Sequence, residues 1–438
     1  MTGSEVGMLF VLVATAVWAT VRLPPLHPAQ LWAVPWAAAA GLFALQLLPY
    51  RELPPLAAAL AAGATLAFVA GTVVGERHLG RRAWGTASGD LGYSLVARAA
   101  LGALILTALV LIAFLWQTIR RFGVHDALVS SVDVRVAIGN GATPVTIKFV
   151  YAAIAAISLS GVAAGLAPTK NRRIAWAAAA GAAVASLYLS TGRSTMVYGV
   201  VIAATAYLVT RQRLPRRSRF LLGVGAIACI AVVVHILGGL VIGKTYANNR
   251  DLRVTPSFFS SHTELRAFAL PYEYASASTA ALGIQVDAST PLGTSRGCAV
   301  FSEACSVLED LGADLEPVRR IRPFTRPPLP WNTYTSLDAP LQDVGVIGAI
   351  PLMAIVGVLV GGLWGAARVR RRHALVAYPI AAVAVITAYS QFAFTAPHLL
   401  GAILIASGLL MASGHFERRA KSRSRPSHSH EPVSTVGQ

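Results

Sequence analysis

The sequence is poor in charged residues. Only 13% of its 438 residues are Asp, Glu, Lys or Arg, whereas a soluble globular protein carries roughly a quarter. Most of the surface must therefore face something other than water. The apolar residues also gather in blocks that are long enough to cross a hydrocarbon core of ~30 Å as helices.

Signatures of cofactor chemistry are missing as well. The sequence contains no phosphate-binding loop, no zinc-ligand spacing and no redox pair of cysteines. The cytoplasmic connections predicted below are too short to bind a nucleotide. We therefore expect no cofactor and no metal ion, and we expect any chemistry to use a substrate that reaches the protein already activated and carried by the membrane.

Cysteine is scarce, with three residues in all. Cys229 lies in an apolar run, where packing explains it. Cys298 and Cys305 fall in one predicted loop, and on an unbroken helix their Cα atoms would lie ~10 Å apart, too far for a disulfide. A disulfide between them therefore requires a break in the helix, and the sequence leaves both possibilities open.

The apolar blocks are continuous runs of Ala, Leu, Val and Gly without the period-two alternation of barrel strands. Because lipid leaves backbone groups no other partner, such runs form helices. The predicted fold is an all-α polytopic membrane protein with about eleven spans. The first, 5–21, lacks a basic leader and a cleavage site and is predicted to be retained. The eleven predicted spans are 5–21, 28–49, 55–75, 97–118, 147–168, 174–190, 195–210, 220–241, 345–367, 374–394 and 397–413.

The distribution of Lys and Arg predicts the orientation. With the N-terminus outside and the C-terminus inside, the cytoplasmic segments hold 22 of the 37 basic residues and only four acids. The reverse orientation would place the tracts 211–219 and 368–372 outside. A formal charge of +18 is therefore explained by membrane orientation rather than by nucleic-acid binding. The expected location is the cytoplasmic membrane.

This orientation divides the chain into four parts. Residues 1–242 hold eight spans, 243–344 form a large extracytoplasmic loop, 345–413 hold three more spans, and 414–438 form a basic tail predicted to be disordered. The large loop holds eleven of the nineteen acids and nine bases. A loop of that length is more often functional than a plain connection.

Arg193 is the first candidate for chemistry. It lies in the outer turn 190–195, among hydroxyl side chains and close to a helix start. A planar guanidinium in that setting suits a phosphate or diphosphate. The alternative is an interfacial arginine that reaches toward lipid headgroups. Arg135, in the outer loop 119–146, is a second candidate, with a salt bridge to Asp133 or Asp126 as its alternative.

The large loop supplies further candidates. Its cations near the membrane surface can hold a lipid-linked diphosphate, although a solvated charged face is the commoner role: Lys244, Arg250, Arg253 and Arg266. Its polar side chains before the ninth span suit a ligand rich in hydroxyls: Asn332, Tyr334 and Thr335. Asp343 precedes that span, and it can act either as a base on a hydroxyl or as a helix cap.

Taken in order, these residues resemble a known family. The turn Ser190-Thr-Gly-Arg193-Ser resembles the turn of Wzy-type oligosaccharide repeat-unit polymerases, and the Arg135 segment is similar to theirs. So is the order of Gly293-Thr294, then Asn332-Thr-Tyr-Thr335, then Asp343-Val-Gly345. The resemblance covers about residues 120–367. Its motifs are short, and their order and topology carry it.

The resemblance implies an activity. Such enzymes polymerise glycan repeat units, linked through diphosphate to undecaprenol, on the outer face of the membrane. They use no metal and no nucleotide sugar. By analogy, Arg135, Arg193 and a cation of the 244–266 group hold the diphosphate, and Asp343 or Glu273 activates the acceptor hydroxyl. Lys244 stands near the place where an arginine is expected, so the third cation is not identified.

The expected partners are the lipid-linked oligosaccharide, membrane lipids and a possible regulator of chain length, with no nucleic acid. Two other functions stay open. One is a related transferase or O-antigen ligase-like enzyme that uses a lipid-linked donor. The other is a glycan-lipid flippase or transporter, which would be expected to carry charges inside its spans and no large outer loop. No internal repeat is evident, which weighs against transporters built from repeated halves.

Overall fold

The computed structural model describes residues 1–82, 92–128, 148–187, 193–211, 257–262, 268–287, 293–314 and 334–423. Within these ranges every regular element is a helix. The α-helices are α1 Gly3–Arg22, α2 Pro28–Ala44, α3 Pro55–Arg82, α4 Tyr93–Leu128, α5 Lys148–Leu166, α6 Lys170–Ser186, α7 Arg193–Arg211, α8 Phe258–Ser261, α9 Ala269–Asp287, α10 Ser302–Asp310, α11 Asp338–Arg368, α12 Arg372–Ile386 and α13 Pro397–Arg423. A short 3₁₀ turn, Thr387–Tyr389, follows α12.

Seven of the described helices are long and apolar enough to cross a membrane, namely α1, α3, α4, α5, α11, α12 and α13. This confirms an all-α polytopic membrane protein. Ten of the eleven predicted spans coincide with helices, whereas the eighth, 220–241, lies outside the described residues. The helices α2, α6 and α7 also lie on predicted spans but are not among these seven.

The outer surface of the bundle is apolar. On α4, large side chains spaced three or four residues apart are all more than half exposed: Leu101, Ile105, Leu109, Ile112 and Trp116. A soluble protein rarely leaves so continuous an apolar stripe uncovered. The stripe therefore faces lipid.

The helices α3 and α11 form the closest pair in the bundle. A Cβ atom on Gly75 would lie 2.0 Å from the carbonyl oxygen of Val358, and one on Gly361 would lie 2.1 Å from that of Thr72. Only glycine permits such an approach, and small residues are the usual means of packing helices within lipid. Gly71 lies against Ala354 and Gly80 against Gly365, so the two helices run in the same direction.

A network of polar side chains lies at one end of the α3–α11 pair. Nδ1 of His27 accepts the backbone N–H of Ala29 at 3.1 Å, so its Nε2 carries the hydrogen and donates to Oε2 of Glu76 at 3.2 Å. Arg368, at the end of α11, donates to the other oxygen of Glu76 at 2.7 Å. His27 and Arg368 therefore pair both oxygens of the Glu76 carboxylate, which would be costly to leave unpaired within the bundle.

At the opposite end of the bundle, side-chain hydrogen bonds hold the start of α1. Thr2 and Glu5 form a capping box, in which each side chain accepts a backbone N–H of the other residue. Oε1 of Glu5 also accepts the N–H of Leu53 at 2.7 Å, just before α3 begins. This buried carboxylate therefore joins α1 to the connection between α2 and α3.

Helix α9, which belongs to the predicted large loop, packs against α2 and α3. This helix runs from Ala269 to Asp287, and residues 263–267 before it lie outside the described residues. Residues 276–283 are buried on every side of this helix. Part of the large loop is therefore integral to the packed bundle.

Candidate functional site

A break in one membrane helix lies close to the connection between two others. Inside α11, Gly345 has φ 67° and ψ −172°, which separates the segment 338–344 from the rest of the helix. After α12, the chain is irregular from 390 to 396. The N–H of Ser336, just before α11, donates to the carbonyl of Ala388 at 2.7 Å, so the start of α11 lies against the turn that follows α12.

The irregular segment lies within the thickness of the bundle. The ring of Phe394 stacks on Trp32 at 6.3 Å and lies 6.2 Å from Phe68, which is midway along α3. Irregular backbone at membrane depth is tolerated only where protein covers it or where it lines a water-filled cavity. We call the paired segments 334–344 and 390–396 the broken-helix junction.

Asp343 attaches a turn of the large loop to this junction. Its two carboxylate oxygens accept the N–H groups of Ala299 at 2.9 Å and Val300 at 2.7 Å. Two backbone hydrogen bonds support the contact, from Gly293 to Leu341 and from Ser295 to Gln342, both at 3.1 Å. The side chain is 7% exposed. Asp343 therefore caps the turn and not its own helix, whose N-cap residue is Leu337.

The same turn contains a disulfide. Cys298 and Cys305 are bonded, with their Cα atoms 5.5 Å apart. The sequence required a break between them, and the structure contains one, because α10 begins only at Ser302 and a turn precedes it. The hydroxyl of Thr395, in the irregular segment, donates to the carbonyl of Val300. The disulfide-bonded turn thus contacts both halves of the broken-helix junction.

Polar side chains are buried beside the junction. Tyr334 is 7% exposed and Thr335 is 1% exposed. The Ser336 hydroxyl is buried without a hydrogen-bond partner among the described residues. Asp338 accepts hydrogen bonds from the side chains of Gln285, on α9, and Gln342. Two of the three predicted sugar-contacting residues, Tyr334 and Thr335, therefore lie within the protein interior.

Glu273 is the most unusual acid of the described residues. It lies on α9, is 1% exposed, and neither of its carboxylate oxygens has a hydrogen-bond partner in the described part of the chain. Burial raises the pKa of this carboxyl from 4.5 to about 8. A carboxyl group kept away from water without a partner is a common feature of functional sites.

Two tyrosines surround that part of α9. The hydroxyl of Tyr272 donates to the carbonyl of Leu42 at 2.7 Å and accepts the N–H of Leu47 at 3.0 Å. Tyr50 hydrogen-bonds to Ser276 at 2.8 Å, and the rings of Tyr50 and Tyr272 stack at 6.2 Å. Burial raises the pKa of both tyrosine hydroxyls above their ordinary value. They therefore stay protonated and act as hydrogen-bond donors.

The predicted arginine site is described only in part. Arg193 is the first residue of α7, but its side chain lies outside the described part of the structure. Tyr198, one turn further along, accepts a hydrogen bond from Gln391 of the irregular segment. The start of α7 is thus attached to the broken-helix junction. The other predicted cations and the asparagine lie outside the described residues: Arg135, Lys244, Arg250, Arg253, Arg266 and Asn332.

Sequence reasoning missed several residues of this region. Gln391 lies inside the predicted span 374–394, where the structure is irregular, and Thr395 lies in the connection between that span and the next. The polar pair Ser390-Gln391 shortly before a proline was the available signal of a break. Within the described ranges, no group of three or more His, Cys, Asp and Glu side chains is placed to hold a metal ion.

The fold defines a multi-pass α-helical membrane protein in which the break in α11 and the connection between α12 and α13 lie beside buried polar groups. Comparison with known proteins adds no relative, since no protein-family model matches the chain, nor does any curated protein or solved structure.

Proposed function

We propose that the protein polymerises oligosaccharide repeat units, linked through diphosphate to undecaprenol, on the outer face of the cytoplasmic membrane. The observation that carries the proposal is the buried carboxyl of Glu273, which has no partner among the described residues and lies on a helix of the large loop. The motifs that contain Arg135, Arg193 and Asp343 also support the proposal, because their order along the chain resembles that in Wzy-type polymerases.

The disulfide supports the proposed orientation. Disulfides persist in oxidising compartments outside the cytoplasm. The Cys298–Cys305 turn is bound to Asp343, near the start of α11, whereas Arg368 ends the same helix. At 1.5 Å per residue, these positions lie ~35 Å apart along the helix, about the thickness of a membrane. Both observations support an orientation with the disulfide end outside and the arginine-rich end inside.

In the proposed reaction, the hydroxyl of the acceptor sugar gives its proton to the carboxylate of Glu273. With a pKa of about 8, this carboxyl is ionised in only a minor fraction of the protein at neutral pH, and that fraction is the reactive one. The acceptor oxygen attacks the anomeric carbon of the donor, and the bond from that carbon to the diphosphate oxygen breaks. The electron pair leaves with the undecaprenyl diphosphate, whose negative charge Arg135, Arg193 and one cation of the 244–266 group stabilise. We assign the base to Glu273 rather than to Asp343, because both oxygens of Asp343 accept backbone N–H groups.

A transporter of lipid-linked glycan is the second candidate. The break of α11 at Gly345 favours it, because discontinuous helices commonly form substrate sites in transporters. The large outer loop and the arginines of the polymerase motifs favour chemistry on the outside instead.

The test is to delete the gene and to analyse the lipid-linked intermediates by gel and mass spectrometry. A polymerase predicts that a single lipid-linked repeat unit accumulates with no ladder above it. A normal ladder that stays on the lipid carrier would instead indicate a ligase. Repeat units trapped on the inner leaflet would indicate a transporter and overturn the proposal.

Complementation with variants tests the arginine site. Arg193→Ala should abolish the ladder while the protein still inserts, and Arg193→Lys should also be poor, because an ammonium group cannot reproduce a bidentate guanidinium contact. Arg211→Ala, at the other end of α7, is the matched control and should restore the ladder. Wild-type chain length from Arg193→Ala at equal protein level would contradict the assignment.

A further inference from the structure

A cavity of about 560 Å³ lies between the start of α12 and the last turns of α13. It belongs to the end of the bundle that carries Arg368, opposite the disulfide, and is therefore separate from the site described above. Three basic side chains, Arg372, His373 and His415, line it together with the apolar Leu410 and Met411.

The positive charge at this cavity is not compensated within the described part of the chain. Nη1 of Arg371, Nε of Arg372 and Nδ1 of His373 are all shielded from solvent and lack a hydrogen-bond partner there. By contrast, neighbouring Arg368 is paired with Glu76 at 2.7 Å. Arg372 thus brings an unpaired guanidinium nitrogen to the wall of the cavity, beside the ring of His373, and Arg371 lies next to the lining. An anion in the cavity would compensate the charge of the Arg372 guanidinium.

Arg372 reaches from α12 across to α13. A Cβ atom added to Gly414 would lie 3.8 Å from Nη1 of Arg372. Its guanidinium therefore lies beside α13, on the wall of the cavity that also carries His415. The two helices thus form one basic pocket rather than two separate charged surfaces.

The pocket opens onto the lipid-facing side of α13. Leu400, Leu404 and Met411 lie on one face of that helix and are 43%, 72% and 60% exposed. Met411 also lines the cavity. A ligand at this place would contact basic side chains in the pocket and apolar side chains on the adjacent face of α13. A lipid with an anionic headgroup and acyl chains has matching parts.

We propose that this pocket binds the phosphodiester headgroup of an anionic membrane lipid, with its acyl chains along the exposed stripe of α13. Basic pockets between membrane helices on the cytoplasmic side are suited to such headgroups. The proposal does not depend on the reaction proposed above. It adds a second lipid site, on the side of the membrane opposite to the proposed chemistry.

The test uses the full-length protein in detergent, titrated with phosphatidylglycerol and, separately, with the neutral lipid phosphatidylcholine, and read by native mass spectrometry. Phosphatidylglycerol should bind more tightly than phosphatidylcholine. Arg372→Gln should weaken phosphatidylglycerol binding about fivefold, the share expected of one cation near the membrane surface. Arg372→Lys should keep most of the affinity.

Arg22→Gln is the matched control, because Arg22 is an exposed arginine at the same end of the bundle but lines no part of the cavity. It should bind phosphatidylglycerol as the wild type does. Equal binding by Arg372→Gln and wild type, or no preference for phosphatidylglycerol, would overturn the proposal. Displacement of the bound lipid by excess inorganic phosphate would instead indicate a site for a soluble anion and would also overturn it.

Discussion

At the scale of single residues, burial of Glu273 couples a proton to folding. In the unfolded chain this carboxyl ionises near its ordinary pKa of 4.5, whereas in the folded protein its pKa is about 8. Between these values the folded protein holds a proton that the unfolded chain has released. Stability is therefore full below about pH 4.5, falls as the pH rises, and is lowest above about pH 8.

Glu273→Gln should remove this dependence, because the amide cannot ionise. Thermal unfolding in detergent should show little difference from wild type near pH 5, and a variant more stable by several kcal/mol near pH 9, at ~1.4 kcal/mol per unit of pKa shift. Glu52→Gln, at an exposed position just before α3, is the control and should unfold like the wild type at both pH values. A difference that is independent of pH would contradict the burial argument.

The same scale shows where the sequence sufficed and where it did not. The sequence showed that a Cys298–Cys305 disulfide requires a break in the helix between the two cysteines. The structure has that break, in the turn before Ser302. The sequence could not identify the partners of Asp343, because Ala299 and Val300 lie more than forty residues earlier in the chain. Local pattern indicates that an acid lies near a helix start, whereas the tertiary fold decides which N–H groups it meets.

At the scale of elements, the α3–α11 pair depends on glycine. Gly75→Ala would place a methyl carbon 2.0 Å from the carbonyl oxygen of Val358, so the helices must separate. Over-packing of this kind costs about 2–3 kcal/mol. We therefore expect a lower unfolding temperature in detergent, followed by tryptophan fluorescence.

Gly408→Ala in α13 is the matched control, because no atom lies within 4 Å of the position its Cβ would take. It should be neutral or slightly stabilising, since alanine favours a helix more than glycine does. Equal unfolding temperatures for Gly75→Ala and Gly408→Ala would show that the close approach of α3 and α11 does not limit stability.

Helix positions were predictable because long apolar runs leave the backbone few alternatives in lipid. The early end of α12 and the break inside α11 were not predictable from the same apolar runs. The tenth span was predicted to continue to 394, but α12 ends at Ile386 and the chain is irregular beyond Tyr389. The ninth was predicted to begin at 345, but α11 begins at Asp338 and breaks at Gly345. Hydropathy reports that a segment is apolar, whereas a break inside it depends on contacts with distant helices.

At the scale of the whole molecule, the N-out/C-in orientation is a prediction that cysteine labelling can check. In a Cys229→Ala background, Arg51→Cys, at an exposed position between α2 and α3, should react with a membrane-impermeant maleimide in intact cells. Val369→Cys, 55% exposed beyond the end of α11, should react only after the membrane is permeabilised. The opposite pattern would reverse the orientation and place the disulfide end in the cytoplasm.

The pairing of α3 with α11 also has a consequence for how the protein is made. The ribosome releases α3 early and α11 only after most of the chain has been synthesised. Until then, the glycine face of α3 has lipid in place of its partner. A nascent chain that stops before α11 therefore leaves this helix surface uncovered in the bilayer until the later helix arrives.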